Sequence, residues 1–261
     1  MKKILGLTIA FIAILGLVGC EDTVTLTAPV VDYTVADNGA TLSLTWDAIG
    51  GADGYIIYAD GEVIDTVTTT SFDATVPAMA YAVTAYAGAD NESDPDEVNC
   101  AAVKTASNLT VYGLSDPETG HNSGLGFTAS GTAVTYSVVA ANYADLDYIF
   151  DDLNYTNLTL TSPNGYDPVF NDEKNMGVDT DVMDFDAVTI ANAPGAYSTV
   201  TAFEANTVYA LFMDQDDDGW DTTDDHFGKI FAVSVTGPSP YTAVITVAYQ
   251  PIAGLRWLVT D

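Results

Sequence analysis

The sequence predicts an all-β chain of two tandem β-sandwich domains that follow an N-terminal signal helix. Short stretches of alternating apolar and polar residues recur along the chain, as in 41–46, and they are rich in β-branched and aromatic residues. Turns rich in glycine and aspartate, such as 50–54 and 59–61, separate these stretches. No segment after residue 20 keeps a helical period, which favours strands throughout the mature chain.

The first 19 residues predict a secretory signal peptide. Lys2 and Lys3 form a short basic region, and the apolar run that follows is too short to span a bilayer. The ending Leu17-Val18-Gly19-Cys20 resembles the bacterial lipobox. That resemblance implies lipidation of Cys20 and attachment to the outer membrane, with the protein facing the periplasm or displayed on the cell surface. A plain signal peptide with an incidental cysteine is the alternative.

The composition is strongly acidic, with 6 Lys and Arg against 37 Asp and Glu and a net charge of −31. Such a chain repels phosphates, so nucleic acid is excluded as a partner. Hydrophobic residues make up 48% of the chain, enough to build cores, so disorder is not expected. With Cys20 lipidated, Cys100 has no cysteine partner, and it is predicted to be buried or to lie between the domains.

After a polar tether at 20–27, residues 28–104 are predicted to form the first sandwich. The pattern resembles a fibronectin type III module, with Trp46 on one strand, 55–58 on the next and 81–86 on a later one. The resemblance implies an immunoglobulin-like spacer or adhesive unit without chemistry. Trp46 is predicted to lie between the two sheets. Its expected neighbours are Leu42, Leu44, Ile57 and Val83.

Residues 107–261 are predicted to form a second β-sandwich or jelly roll, because at least seven strand patterns follow one another there. These patterns are 109–112, 134–138, 158–160, 209–212, 230–235, 243–249 and 257–259.

One segment of the second domain, the acidic loop 214–225, is a candidate metal site. Asp214, Asp216 and Asp218 alternate before Gly219, which resembles the start of an EF-hand calcium loop. Calcium takes oxygen ligands, alternate carboxylates on a tight turn converge, and glycine permits the sharp bend. Calcium is therefore the predicted cofactor.

The rest of the loop fits the same pattern in part. The resemblance places the carboxylate of Asp225 at the twelfth position and the backbone carbonyl of Trp220 at the seventh. The flanks are strand-like, however, and the loop also resembles the third calcium loop of the phospholipid-binding β-sandwich first named from protein kinase C. That second resemblance, carried by 214–216 and 225–228, implies calcium coordination and not membrane binding. An unliganded acidic turn, with its carboxylates repelling one another, is the alternative.

The remaining candidates are weaker. Asp151 and Asp152 are adjacent, so on a strand they point to opposite faces and not at each other as in a glycosidase. No serine-nucleophile elbow, phosphate loop or dinucleotide fingerprint occurs, and the chain is not expected to be an enzyme. The other groups are four alternating acids and four tyrosines, namely Asp179, Asp181, Asp184, Asp186, Tyr143, Tyr148, Tyr155 and Tyr166. The acids either add metal ligands or mark a solvent face, and the tyrosines either pack across strands or form a carbohydrate platform.

These features together predict a non-catalytic, lipid-anchored cell-surface module for binding or structure. Its expected partners are the membrane, through the N-terminal lipid, and a glycan or a surface protein. A carbohydrate-binding lipoprotein of a polysaccharide uptake system is the first alternative, and a surface hydrolase is the second.

Overall fold

The computed structural model describes residues 25–105, 108–128, 130–166, 175–214, 216 and 218–261. Nearly all of their regular structure is β-strand, arranged in four antiparallel sheets, which confirms the predicted all-β sandwich fold. The predicted signal peptide, Cys20 and the first part of the tether lie outside the described residues.

Seven strands form the first sandwich. They are β1 Val31–Ala36, β2 Thr41–Trp46, β3 Gly54–Ala59, β4 Glu62–Val67, β5 Ser71–Ala74, β6 Ala80–Tyr86 and β7 Asp96–Asn99. One sheet has the order β1-β2-β5 and the other has the order β4-β3-β6-β7. A short 3-10 segment, Asp37–Gly39, connects β1 to β2.

The core of the first sandwich follows from the alternation in β2. Leu42, Leu44 and Trp46 point inward and are buried, while the residues between them are more exposed. The rings of Trp46 and Tyr55 pack in a T-shaped arrangement, with 5.2 Å between the ring centroids. The predicted neighbours Leu42, Leu44, Ile57 and Val83 all belong to this core.

The second sandwich contains the remaining strands and one short helix. They are β8 Val103–Lys104, β9 Leu109–Tyr112, β10 Gly124–Phe127, β11 Ala133–Tyr136, β12 Tyr148–Asp151, β13 Thr159–Thr161, α1 Pro163–Tyr166, β14 Met176–Val182, β15 Val200–Ala202, β16 Thr207–Met213, β17 His226–Thr236 and β18 Thr242–Tyr249. The five-stranded sheet has the order β11-β10-β12-β13-β15. The six-stranded sheet has the order β14-β16-β17-β18-β8, and β9 also pairs with β18. A 3-10 segment, Ala140–Asp145, precedes β12.

Strand β16 is buried on both faces, which explains its continuous apolar run from Val208 to Met213. Tyr209, Leu211 and Met213 pack between the two sheets of the sandwich. Val208, Ala210 and Phe212 face the other side, where Phe185, Val188, Ala191 and Leu258 cover the sheet. The acidic loop therefore begins at the end of a strand that is packed on both faces.

The C-terminal segment 250–258 belongs to both sandwiches. Leu255 and Trp257 are fully buried in the core of the first sandwich, and the Trp257 ring lies 5.7 Å from that of Tyr81. The Trp257 indole N–H donates to the Ala40 carbonyl at 3.2 Å. The Gln250 amide donates to the carbonyls of Cys100, at 2.9 Å, and Trp257, at 2.7 Å. This segment thus packs into the first sandwich through Leu255 and Trp257 and against the six-stranded sheet of the second through Leu258.

One expectation about this segment was wrong. Residues 257–259 do not form a strand; Trp257 makes an isolated bridge to Ile190, and its side chain fills the first core. Strand β8, just before the expected start of the second domain, pairs with β18 and extends the sheet of the second sandwich.

Candidate functional site

The acidic loop connects β16 to β17, whose last paired residues are Met213 and His226. Within the loop Gly219 adopts φ +95°, a conformation that glycine reaches without steric cost. The carboxylates therefore sit on a tight turn at the end of a buried hairpin. Gln215 and Asp217 lie outside the described residues.

The structure brings three of the predicted ligands together. Asp214, Asp216 and Asp218 each offer a carboxylate oxygen, and these oxygens lie within 4.8 Å of one another. Asp214 is buried, whereas Asp216 and Asp218 are exposed. The carboxylate of Asp216 raises the pKa of Asp218, because two negative charges are held close together.

Asp225 belongs to a second group of carboxylates, with Asp221 and Asp224. Asp225 is fully buried, and its Oδ2 accepts a hydrogen bond from the Asp221 backbone N–H at 2.7 Å. The backbone N–H of Thr223 donates to the Asp221 carboxylate, also at 2.7 Å, and lowers the pKa of Asp221. Asp225, at the twelfth position of the loop, thus stabilises the turn that follows the first group. Its carboxylate converges with those of Asp221 and Asp224, in a group separate from that of Asp214, Asp216 and Asp218.

Trp220 anchors the loop through its ring. Its indole N–H donates to the Gly254 carbonyl at 2.9 Å, and the Gly254 N–H donates to the Asp225 carbonyl at 2.7 Å. Gly254 has φ +73°, and a Cβ there would lie 2.6 Å from the Asp221 carbonyl oxygen. The loop is therefore fixed against the C-terminal segment that both sandwiches share.

The donor set of the first group suits a hard divalent cation. All of its ligand atoms are carboxylate oxygens, and residues 214–225 contain no Lys or Arg that would neutralise them. Calcium takes six to eight oxygens, so three carboxylates would supply part of its shell, with backbone carbonyls and water completing it. A bound dication would also remove the repulsion that raises the pKa of Asp218.

The second acidic series does not join these groups. Among the described residues, the converging carboxylates include none of Asp179, Asp181, Asp184 and Asp186. Asp179 accepts from the Asp181 N–H and Asp184 from the Asp186 N–H, so both stabilise local turns. All four are exposed, which agrees with the solvent-face interpretation.

Asp151 and Asp152 are buried and act on the backbone. The Asp151 carboxylate accepts hydrogen bonds from the backbone N–H groups of Leu153 and Asn154. The Asp152 carboxylate accepts from the N–H groups of Ser115 and Tyr241. Each carboxylate therefore holds loops in place, and the pair does not present two acids across a cleft.

The four tyrosines do not share one environment. Tyr148 is buried in the core, and its hydroxyl donates to backbone carbonyls. Tyr155 is 39% exposed, while Tyr143 and Tyr166 are half-buried against a small cluster around Leu146. Packing thus accounts for Tyr148.

Cys100 lies in the core of the first sandwich, beside the shared C-terminal segment. It is fully buried, and burial raises the pKa of its thiol to about 12. A thiol in this state is a poor nucleophile at neutral pH.

No protein-family model matches the chain, and no curated protein matches it either. Within the described ranges, no helix has the length and apolar character needed to cross a membrane.

Sequence reasoning did not assign roles to Asp221 and Asp224. Their signal was their place in the same acidic stretch, but their grouping with Asp225 depends on the turn at 221–225 that the backbone N–H groups build.

Proposed function

We propose that this chain is a non-catalytic, lipid-anchored cell-surface module for binding or structure, whose second sandwich is stabilised by calcium at the loop 214–225. Lipid on Cys20 would hold the chain at the outer membrane. The first sandwich would act as a fibronectin type III-like spacer that carries the second sandwich away from the membrane.

The observation that carries the proposal is the convergence of Asp214, Asp216 and Asp218 at the end of a buried hairpin. Strand β16 and the hydrogen bond of Trp220 hold this turn in place. The carboxylates therefore stay close together, and their repulsion persists. Binding of a dication relieves it instead.

The spacer assignment is supported by the architecture of the first sandwich. Seven strands in two antiparallel sheets pack around the buried Trp46, as in immunoglobulin-like modules. The hydrolase alternative is weakened because Asp151 and Asp152 are both engaged with backbone N–H groups.

A thermal melt of residues 21–261 tests the calcium site. At a calcium concentration a hundred times the Kd, binding to the folded state adds about 2.7 kcal/mol. For a chain of this size that corresponds to a rise of roughly 5–10 °C in Tm. We expect this rise in calcium relative to EDTA, and we expect Asp216→Ala combined with Asp218→Ala to abolish it.

Asp32→Ala combined with Asp47→Ala is the matched control, because it removes two exposed acids from the first sandwich and leaves the loop intact. This control should keep the calcium-dependent rise. If calcium does not raise the Tm of the unaltered chain, the loop is a solvated acidic turn and the calcium proposal is wrong. If the loop variant keeps the full rise, calcium binds elsewhere.

A further inference from the structure

A cavity of about 260 Å³ opens at one end of the second sandwich beside the acidic loop, and Asp224 of the second carboxylate group lines it. Its walls come from five separate segments, because the ends of β10, β16, β17 and β18 and the residue before β12 meet there. The volume suits a small ligand or a single side chain.

Three aromatic rings line this cavity. The rings of Phe127 and Tyr249 stack with centroids 5.2 Å apart, and the ring of His226 lies 4.9 Å from that of Tyr249. These rings give the cavity an apolar wall, against which an alkyl chain can pack.

The polar groups of the cavity are mainly hydrogen-bond acceptors. Asp147 and Asp224 each place a carboxylate in the wall. The Phe127 backbone N–H donates to Asp147 Oδ2 at 2.6 Å, which fixes the direction of that side chain.

His226 adds a third acceptor. Its Nδ1 lies 3.0 Å from the Gln250 carbonyl oxygen, and a carbonyl only accepts, so Nδ1 carries the hydrogen. With the hydrogen on Nδ1, the other ring nitrogen, Nε2, is an acceptor.

The cations of the described chain are engaged elsewhere. The Lys229 ammonium donates to the carbonyls of Phe185 and Val188, Lys104 pairs with Asp186, and the Arg256 guanidinium donates to the Ala191 carbonyl. No Lys or Arg is among the described residues that line the cavity.

We propose that this cavity binds a primary alkylammonium group, such as the side chain of a lysine on a partner protein or the end of a polyamine. An ammonium has three donors and no acceptor, which matches a wall that holds two carboxylates and the Nε2 acceptor of His226. Its alkyl stem packs against the three rings that line the cavity. The acidic surface raises the local concentration of such cations.

The test follows the imidazole resonances of the full chain by NMR while n-butylammonium chloride is added in EDTA at constant ionic strength. The chain has two histidines, so His121 is an internal reference: it stacks on Tyr112 and bonds Asp116, outside the cavity. We expect a saturable shift of the His226 signals and no shift of His121. 1-Butanol, which has the same stem and no charge, should leave both unchanged.

Two variants assign the binding to the carboxylates. Asp147→Asn keeps an acceptor for the Phe127 N–H, and Asp224→Asn changes an exposed residue; each should weaken butylammonium binding about tenfold. Asp47→Asn removes the same charge from the first sandwich and should change the affinity less than twofold.

Equal shifts at both histidines, equal shifts with 1-butanol, or an unchanged affinity in both cavity variants would overturn the proposal. Comparison of N-acetyl-lysine methylamide with putrescine then separates the two sources of the ammonium. Tighter binding of the first indicates a protein lysine, and tighter binding of the second indicates a polyamine.

Discussion

Replacement of Trp257 by alanine should destabilise the first sandwich, although residue 257 follows all the strands of the second. The side chain is fully buried against Tyr81, and its N–H donates to the Ala40 carbonyl. Truncation of a buried tryptophan to alanine costs about 3–5 kcal/mol. Against a total stability of roughly 5–15 kcal/mol, this is a large loss.

Cys100 provides a local assay for this loss. In a chain that also carries Cys20→Ser, Cys100 is the one remaining cysteine, and it is fully buried in the core that Trp257 fills. A disulfide reagent at pH 7 reacts with it only when this core opens. A loss of 3 kcal/mol raises the open fraction, and hence the labelling rate, by roughly a hundredfold.

Leu160→Ala is the matched control, because Leu160 is equally buried but lies in the core of the second sandwich. Its truncation costs a comparable 2–5 kcal/mol. Trp257→Ala should accelerate labelling of Cys100 more than Leu160→Ala does at the same loss of Tm. If Trp257→Ala lowers the Tm by several degrees and changes the labelling rate less than threefold, Trp257 does not support the first core and the reasoning is refuted.

Three other predictions concern the anchor, a buried charge and the loop. Cys20→Ser should abolish incorporation of labelled palmitate by cells that express the full chain, whereas Cys100→Ser should not; equal labelling of both variants would contradict lipidation at Cys20. Burial lowers the pKa of Lys229 to about 8, so between about pH 8 and 10 the unfolded chain holds a proton that the folded chain has released, and this residue makes stability rise with pH. The test compares the free energy of unfolding of the unaltered chain with that of Lys229→Met, by urea titration at pH 7.5 and 9.5. The other titrating groups are common to both chains, so the difference should shift toward the unaltered chain by roughly 1–2 kcal/mol at the higher pH. An unchanged difference would show that burial does not depress the pKa of Lys229. Gly254→Ala should lower the free energy of unfolding by about 2 kcal/mol or more, because the added Cβ meets a carbonyl of the acidic loop. Gly88→Ala is the control: Gly88 has φ +68° and open space around it, so the loss should be about 1 kcal/mol. Equal losses of Tm in the two variants would argue against the close approach at Gly254.

The strands were predictable where burial leaves a local pattern. Alternation in 41–46 matches β2, and the apolar run 209–212 lies within β16. Trp257 shows the limit, because its tripeptide has strand-forming residues, yet the partner that decides its position is Ala40, 217 residues earlier. No local period encodes such a contact.

The candidate site was predictable to a similar degree. The spacing of Asp214, Asp216 and Asp218 on a turn indicates convergence, and the three carboxylates do converge. The place of Asp225 was not predictable from counting positions, because it depends on a hydrogen bond from the Asp221 N–H. The cavity residues come from separate strands, so only the assembled sandwich brings Phe127 and Asp147 to His226.

The acidic loop is connected to the junction of the two sandwiches by hydrogen bonds and close contacts. The loop bonds Gly254 at both its N–H and its carbonyl, and a Cβ on Gly39 of the first sandwich would collide with that same carbonyl. The next residue but one, Arg256, donates its N–H to the Gly39 carbonyl, and Trp257 then enters the first core. On the proposed function, calcium that stiffens the loop would therefore also hold the spacer in a fixed direction relative to the second sandwich. A module that must present a binding surface at a set distance from a membrane needs this stiffness, because free rotation at the junction would let the second sandwich fold back toward the lipid.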